Sequence, residues 1–374
     1  MAHSRCALLD RTTAGIDQTD PRPGRRATPL IVNIMPTAAS RTLVVAPSWI
    51  GDAVLSQPLL ARLAKHHPTA EIDVFAPKWV LPAYRRMAEV AETIENPFGH
   101  GQLAIGQRRR VGRALAARGY SNAYILPNSF KSAMVPWFAG IRSRIGYSGE
   151  MRYVLLTDRR PLDNNQLPLM VERFAWLAQS PGSVLERPVA YPRLQVSAGE
   201  FGVTCRKLNL NAPQRLACFC PGAEYGPAKR WPPGYFAALA KQLAQRGYTV
   251  WLLGSAADKP VGEEIAAGGD ATDLCGVTSL DEAIVLLSGA QLVVTNDSGL
   301  MHVAAALGRP TIAIYGSSSP AFTPPLSESA RVVKLDVPCS PCFARQCPLG
   351  HFDCMLKLDP ATVMRQIELL EAAT

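Results

Sequence analysis

Short runs of consecutive apolar residues alternate along this chain with stretches whose apolar positions fall three and four residues apart. That alternation predicts buried parallel strands joined by helices. In the first half the pattern predicts strands at 42–46, 71–76 and 122–126 and helices at 53–65, around 80–90, about 101–118 and 165–180. Leu55, Leu59, Leu60 and Leu63 mark the face of the first helix. The second half repeats the scheme, with strands at 216–220, 249–254, near Leu274, 291–295 and 311–315. Helices at 234–246, 259–267, 280–288 and 300–307 fall between them. Regular strand–helix alternation on this scale predicts an α/β protein of two doubly wound, Rossmann-like domains facing a central cleft. The expected division is a domain over 41–190, a proline-marked passage over 191–211, a domain over 212–358 and a final helix within 359–374. Val363, Met364, Ile367, Leu369 and Leu370 give that helix a partly apolar face. The first 40 residues show neither period and read as a disordered extension, with Met35 as an alternative start.

Three strand-to-helix loops stand out, because strand ends and helix N-termini in parallel sheets present free N–H groups and a favourable dipole to anionic ligands. The first runs through Ser48-Trp49-Ile50-Gly51-Asp52 and places an acid near a helix start. A carboxylate there serves as a base or only steadies the helix. The second, Pro221 to Pro232, brings Lys229 and Arg230 to a Gly/Pro-rich loop before a helix, where they meet anionic oxygens or remain a solvated pair. The third, Thr295-Asn296-Asp297-Ser298-Gly299-Leu300-Met301-His302, delivers an acid, a hydroxyl and a glycine to a helical first turn.

These loops resemble the ADP-heptose:lipopolysaccharide heptosyltransferases of glycosyltransferase family 9, most closely the heptosyltransferase II branch. The likeness includes Asn128-Ser129-Phe130-Lys131-Ser132 and Gly316-Ser317-Ser318-Ser319-Pro320 and runs from about Leu43 to the C-terminus. It implies the GT-B fold, with the acceptor in the N-terminal domain, the nucleotide-sugar in the C-terminal domain and the final helix returning to the N-terminal domain. It also implies inverting transfer of L-glycero-D-manno-heptose from ADP-heptose onto the first heptose of the lipopolysaccharide inner core. Asp52 takes the place of the base and Lys229 that of the phosphate-contacting lysine. Asp297 lies in the donor site, or else caps its turn. Ser298 and Gly299 offer uncharged donors to phosphate oxygens. His302 either approaches the diphosphate or is an ordinary structural histidine. Asp258, four residues past Gly254, matches an acid that binds ribose, although surface loops often carry such a residue. Val277 and Thr278 lie in the loop expected to read the base. Ser48, Trp49, Asn128, Lys131, Arg142 and Arg144 are the expected acceptor contacts, for a lipid A–Kdo–heptose acceptor. Other GT-B sugar-nucleotide enzymes, a different sugar transferase or an epimerase, and more remotely a non-enzymatic nucleotide-sugar- or nucleic-acid-binding protein, are the alternatives.

The chain has 374 residues, 48% hydrophobic and 18% charged, which suits a folded two-domain protein, and no apolar run approaches a membrane span. Its opening residues read against a secretory signal, because Asp10 and Arg11 interrupt a short apolar stretch. A monomer at the cytoplasmic face of the inner membrane is expected. The formal charge of +9, with basic residues at Arg108, Arg109, Arg110, Arg113, Lys131, Arg142, Arg144, Arg152, Arg159 and Arg160, suits an anionic lipid surface. Nucleic acid is not expected as a partner, because no aromatic residues interleave with the basic ones and no recognisable module occurs. No paired acids lie near the diphosphate loops, so no metal is expected in catalysis and magnesium is expected to be dispensable. Cys339, Cys342, Cys347 and Cys354 cluster with His351. Unligated thiols are the favoured reading, a structural zinc or disulfides the alternatives.

Overall fold

The computed structural model describes residues 40–99 and 101–373, so the extension expected over the first 40 residues lies almost wholly outside the described residues. The N-terminal domain runs through β1 (Arg41–Val45), α1 (Ile50–Leu55), α2 (Gln57–His66), β2 (Glu71–Pro77), α3 (Leu81–Arg85), β3 (Val90–Asn96), α4 (Ile105–Ala116), β4 (Tyr120–Ile125), α5 (Met134–Phe138), β5 (Ser143–Tyr147), β6 (Asp158–Arg160) and α6 (Met170–Trp176). The C-terminal domain follows with α7 (Glu200–Lys207), β7 (Leu216–Cys220), α8 (Pro233–Gln245), β8 (Thr249–Leu252), α9 (Lys259–Ala266), β9 (Thr272–Asp273), α10 (Leu280–Ser288), β10 (Leu292–Asn296), α11 (Gly299–Ala306), β11 (Thr311–Tyr315), β12 (Ala330–Lys334), α12 (Asp353–Leu356) and α13 (Pro360–Glu371). Each domain is built on a six-stranded sheet, ordered β3-β2-β1-β4-β5-β6 and β12-β11-β10-β7-β8-β9, and every pairing is parallel. The expected pair of doubly wound domains is therefore present. Each sheet reverses its winding between two central strands, β1 and β4 in one and β7 and β10 in the other, and ligands bind at such switch points.

The period of two along β1 explains how the layers hold together. Val44 and Ala46 face a core shared with the C-terminal domain, whereas Leu43 and Val45 face a separate core under α4 and α5. The shared core continues through Ala53, Tyr84, Leu286, Val293 and Val303, so apolar packing passes from one domain into the other without a break. In β7, Ala217 and Phe219 face the far side of the C-terminal sheet, covered by α8 and α13.

Four strands carry no clear signal in the sequence: β3, β5, β6 and β12. β3 and β12 are edge strands with exposed positions, and β6 is a three-residue edge strand, so their compositions are mixed. The helix expected around 80–90 ends at Arg85, and β3 begins at Val90. The passage expected over 191–211 contains α7, which packs on α10, and Phe201 of α7 stacks on Trp251 at 6.2 Å. This part of the passage thus belongs to the C-terminal domain. The final helix also differs from expectation. Val363, Met364, Ile367 and Leu370 of α13 are buried in the core beneath α8, β11 and β12, while Leu369 is exposed, so the helix closes the C-terminal domain instead of returning to the N-terminal one.

A polar knot fixes the end of the N-terminal sheet remote from the switch point. Asp73 of β2 is fully buried and accepts from Tyr120 Oη at 2.6 Å and from Arg41 Nη2 at 3.1 Å, with Arg118 Nη1 3.5 Å away. Removing the carboxylate leaves two cations and a phenol without their common acceptor. Asp73→Ala is expected to cost about 2 kcal/mol or more by urea denaturation. The exposed Asp336→Ala should leave the midpoint unmoved.

Candidate active site

The chain leaving β1 turns through Ser48 into α1 and sets Asp52 in that helix's first turn. Desolvation raises the Asp52 carboxyl to about 6, and the positive charge of Lys229 opposes that rise from the other domain. Trp49, the N-cap of α1, is half exposed, and so is Trp79, whose indole donates to Ser48 O at 2.8 Å. Trp79 carries no motif that could have singled it out in the sequence. Only the fold brings it from the end of β2 to the Ser48 loop. Asn128 stands exposed past the end of β4, and its side-chain oxygen accepts from Arg152 Nη2 at 3.3 Å. Lys131 follows in a 3₁₀ turn over 130–133.

The two arginines expected to meet the acceptor are placed elsewhere. Arg142 and Arg144 lie at the start of β5, the opposite end of a parallel sheet from Asp52 and Asn128. Arg144 spends its guanidinium on Leu155 O, at 2.6 Å, and on Ile141 O. Buried Arg108 likewise bonds the carbonyls of Gln102, Leu103 and Lys131, and buried Arg152 those of Pro127 and Tyr147. Part of the basic inventory is therefore internal framework, because a guanidinium's several donors can satisfy several loop carbonyls at once.

In the C-terminal domain, the loop after β7 carries Lys229 to the end of β10. There its ammonium meets Asp297 Oδ2 at 2.6 Å, and Ser318 Oγ donates to the same oxygen at 2.5 Å. Asp297 therefore neither stands free nor caps the next turn; it fixes the lysine. Asn296, fully buried, accepts from Trp231 N at 3.1 Å and donates to Pro221 O at 2.6 Å, which clamps both ends of the lysine loop. Trp231 is buried beneath that loop, with its indole donating to Leu358 O at 2.7 Å. Ser298 is the N-cap of α11 without a side-chain capping bond, so the amides of the first turn keep their donor capacity. Asp258 sits past the end of β8, buried, its Oδ2 accepting from Ser255 N and Oγ at 3.0 and 2.8 Å, with Arg230 3.8 Å from Oδ1. Val277 is exposed, and the neighbouring Thr278 hydroxyl is buried without a partner.

The two halves meet where α1 packs on α11. A methyl group on Gly299 would lie 2.8 Å from Ile50 Cβ, and one on Gly51 would lie 2.7 Å from His302 Cδ2. Only glycine permits this approach. His302 is buried at the junction, and desolvation lowers its imidazole to about 4, so it is neutral at physiological pH. Its Nδ1 is buried without a hydrogen-bond partner. The ring thus fills the seam against Gly51, within reach of the charges of Asp297 and Lys229. Farther from the cleft, Arg86 donates to Glu200 at 2.6 Å and to Asp281 at 2.9 Å, tying the chain after α3 to α7 and α10.

Cys339, Cys342, Cys347 and Cys354 line one cavity of about 180 Å³ with His351, Ala228 and Ser317. All four are drawn as free thiols, and among the described residues no three potential metal ligands converge. The Phe352 N–H, foremost among several backbone donors, lowers the Cys347 thiol. This loop also buttresses the lysine loop: Ala228 N donates to Arg345 O at 3.1 Å and Tyr225 Oη to Phe343 O at 2.7 Å.

The model of glycosyltransferase family 9 (heptosyltransferase) matches residues 108–353. The chain belongs to that family. It is 48% identical over 341 residues to lipopolysaccharide heptosyltransferase 2 of Escherichia coli K12, covering 88% of this chain and 98% of the relative. Lipooligosaccharide heptosyltransferase 2 of Haemophilus influenzae is 44% identical over 306 residues, with 78% and 88% covered. Among solved structures, that of the Escherichia coli ADP-heptose LPS heptosyltransferase II superposes with a TM-score of 0.81 at 46% identity, over 88% of this chain and 98% of that one. The two Rossmann-like domains of this family 9 chain thus have the GT-B arrangement, with Asp52 and Lys229 contributed from opposite sides of the cleft.

A carboxylate raised to about 6 is protonated below that pH and ionised above it, so kcat/KM should fall as pH drops through about 6. Asp52→Asn should lower turnover about 100-fold or more and abolish that limb of the profile. The stability effect has the opposite sign. Between the ordinary carboxylate range and about pH 6 the folded state holds a proton that the unfolded state has lost, so stability falls as pH rises through this window. At neutral pH Asp52→Asn should therefore raise the melting temperature, which calorimetry on the inactive variant would show. Gly51→Ala forces the Gly51–His302 contact apart, and should lower turnover at least tenfold while leaving ADP affinity, measured by titration calorimetry, within a few-fold.

Proposed function

We propose that the protein transfers L-glycero-D-manno-heptose from ADP-heptose onto the first heptose of the lipopolysaccharide inner core, with inversion at the anomeric carbon. The observation that carries this reading is the opposition of two switch points. One holds a carboxyl raised to about 6 and the other a lysine fixed at a helix start, each within the other's electrostatic reach. The heptosyltransferase 2 names of relatives matched over nearly their full length support it.

The donor lies in the C-terminal domain. Lys229 and the amides of Ser298 and Gly299 hold the diphosphate, Asp258 the ribose, and the loop of Val277 and Thr278 the base. The acceptor sugar rests between Ser48, Trp49 and Trp79 on one side and Asn128 and Lys131 on the other. Asp52 accepts the proton of the attacking hydroxyl as its oxygen forms the bond to the anomeric carbon and the bond to ADP breaks. Negative charge then grows on the departing diphosphate, where Lys229 and the helix amides stabilise it more than in the ground state. Asp297 does not touch the sugar in this scheme; it keeps the ammonium in register. The reaction needs no metal, so activity should survive exhaustive chelation. The protein works as a monomer at the anionic cytoplasmic face of the inner membrane.

Product analysis with purified acceptor glycolipids and a panel of sugar nucleotides tests the whole reading. Efficient transfer from another sugar nucleotide in place of ADP-heptose would overturn it. For the site itself, Lys229→Ala should weaken ADP binding at least tenfold by calorimetry and lower turnover as well. Part of that loss comes from a buried Asp297 carboxylate left facing the phosphates, so adding Asp297→Asn should recover some of the ADP affinity. Unchanged ADP affinity in Lys229→Ala would place the lysine outside the donor site.

A further inference from the structure

One face of the N-terminal sheet is covered by α4, by residues 130–138 and by the crossover 149–157. Its core contains Leu115, Val135, Leu155 and Leu156, and no described residue of the C-terminal domain enters it. This face therefore points away from the interdomain contact. Met151, Tyr153 and Val154 project from it with 79%, 65% and 76% of their surfaces exposed. The turn that presents them is firmly held. Between them Arg152 points inward and bonds Pro127 O at 2.7 Å and Asn128 Oδ1 at 3.3 Å. Glu150 folds back to accept from Phe130 N at 2.8 Å, and Leu155 and Leu156 anchor the far end in the core. The crossover thus ties its acid back to the neighbouring loop and keeps its apolar side chains in water, where folding alone does not favour them.

Glu150 apart, the charges on the same face have one sign. Arg109, Arg110 and Arg113 stand exposed on α4, Lys131 lies beside Phe130, and the Arg159 guanidinium is 5.5 Å from the Tyr153 ring centroid. In α4, 130–138 and 149–157 together, Glu150 is the only acid. Apolar knobs interleaved with unopposed cations do not suit self-association, since a twofold contact would press like charges together, nor the charge-depleted core of a protein interface. They fit an anionic lipid surface, where the apolar groups enter the interface and the cations meet phosphates.

We propose that this face docks on the anionic bilayer, with Met151, Tyr153 and Val154 entering its interfacial layer. The inference rests on the reading that the acceptor is membrane-borne. It also gives that reading a geometry, because Arg152 and Glu150 join the crossover to the Asn128–Phe130 segment and so place the acceptor mouth at the lipid surface. The test uses the full chain, the triple variant Met151→Ser/Tyr153→Ser/Val154→Ser, and co-sedimentation with phosphatidylglycerol-containing vesicles in the absence of any substrate. The wild type should bind these vesicles in preference to phosphatidylcholine vesicles and more weakly as salt rises. The triple variant should lose at least tenfold in binding while keeping wild-type ADP affinity, which reports that it is folded. It should also retain transfer to a soluble, deacylated acceptor and lose transfer to a vesicle-embedded one. Equal vesicle binding by variant and wild type, or none by the wild type, would overturn the proposal. So would a wild-type dimer that the triple variant dissolves in sedimentation equilibrium. Vesicle binding without transfer to any acceptor would sink the heptosyl reading and leave the docking face standing.

Discussion

The seam between α1 and α11 is the constraint on which the site depends. Ile50 and His302 press against Gly299 and Gly51 at distances that admit no further side-chain atom. Through that contact the first turn of α1, which carries Asp52, is held in the electrostatic field of Lys229 from the other domain. The raised carboxyl and the neutral imidazole are both products of this burial. The apolar core shared by the two domains and the ties of Arg86 to Glu200 and Asp281 hold the seam from behind.

The lysine that faces this seam is itself over-determined. Asp297 and Ser318 fix its ammonium, Asn296 and Trp231 fix its loop, and the cysteine-rich loop backs it through Tyr225 and Ala228. A flexible side chain loses its rotamer freedom before substrate arrives, so less of the binding energy is consumed in ordering it. The cysteines share in this support through the loop that bears them, whatever the state of their thiols.

The sequence revealed most where burial is two-sided. β7, β10 and β11 are buried at every position and read as continuous apolar runs, whereas β3 and β12 have exposed positions and mixed composition. The loops carrying Asp52, Lys229 and Asp297 were legible because they punctuate strand-to-helix junctions. That Lys229 and Asp297 bond each other was not, because 68 residues separate them. Nor does residue type distinguish an exposed arginine such as Arg109 from Arg144, whose guanidinium is spent on carbonyls. The same limit applies to α13. Its apolar face foretold a packed helix, but periodicity does not name the surface it covers.

The shared strand order of the two sheets means that the chain meets the reaction twice from the same topological position. Asp52 leaves the first strand of one sheet and Lys229 the first strand of the other, each beside the strand across which the winding reverses. The two loops are counterparts in a pseudo-repeat, specialised in opposite directions: one supplies a proton acceptor and the other a fixed cation. Because each half has its own crevice, the basicity of the acid and the hold on the leaving group can drift separately under selection. Adaptation to a new acceptor then need not disturb the nucleotide.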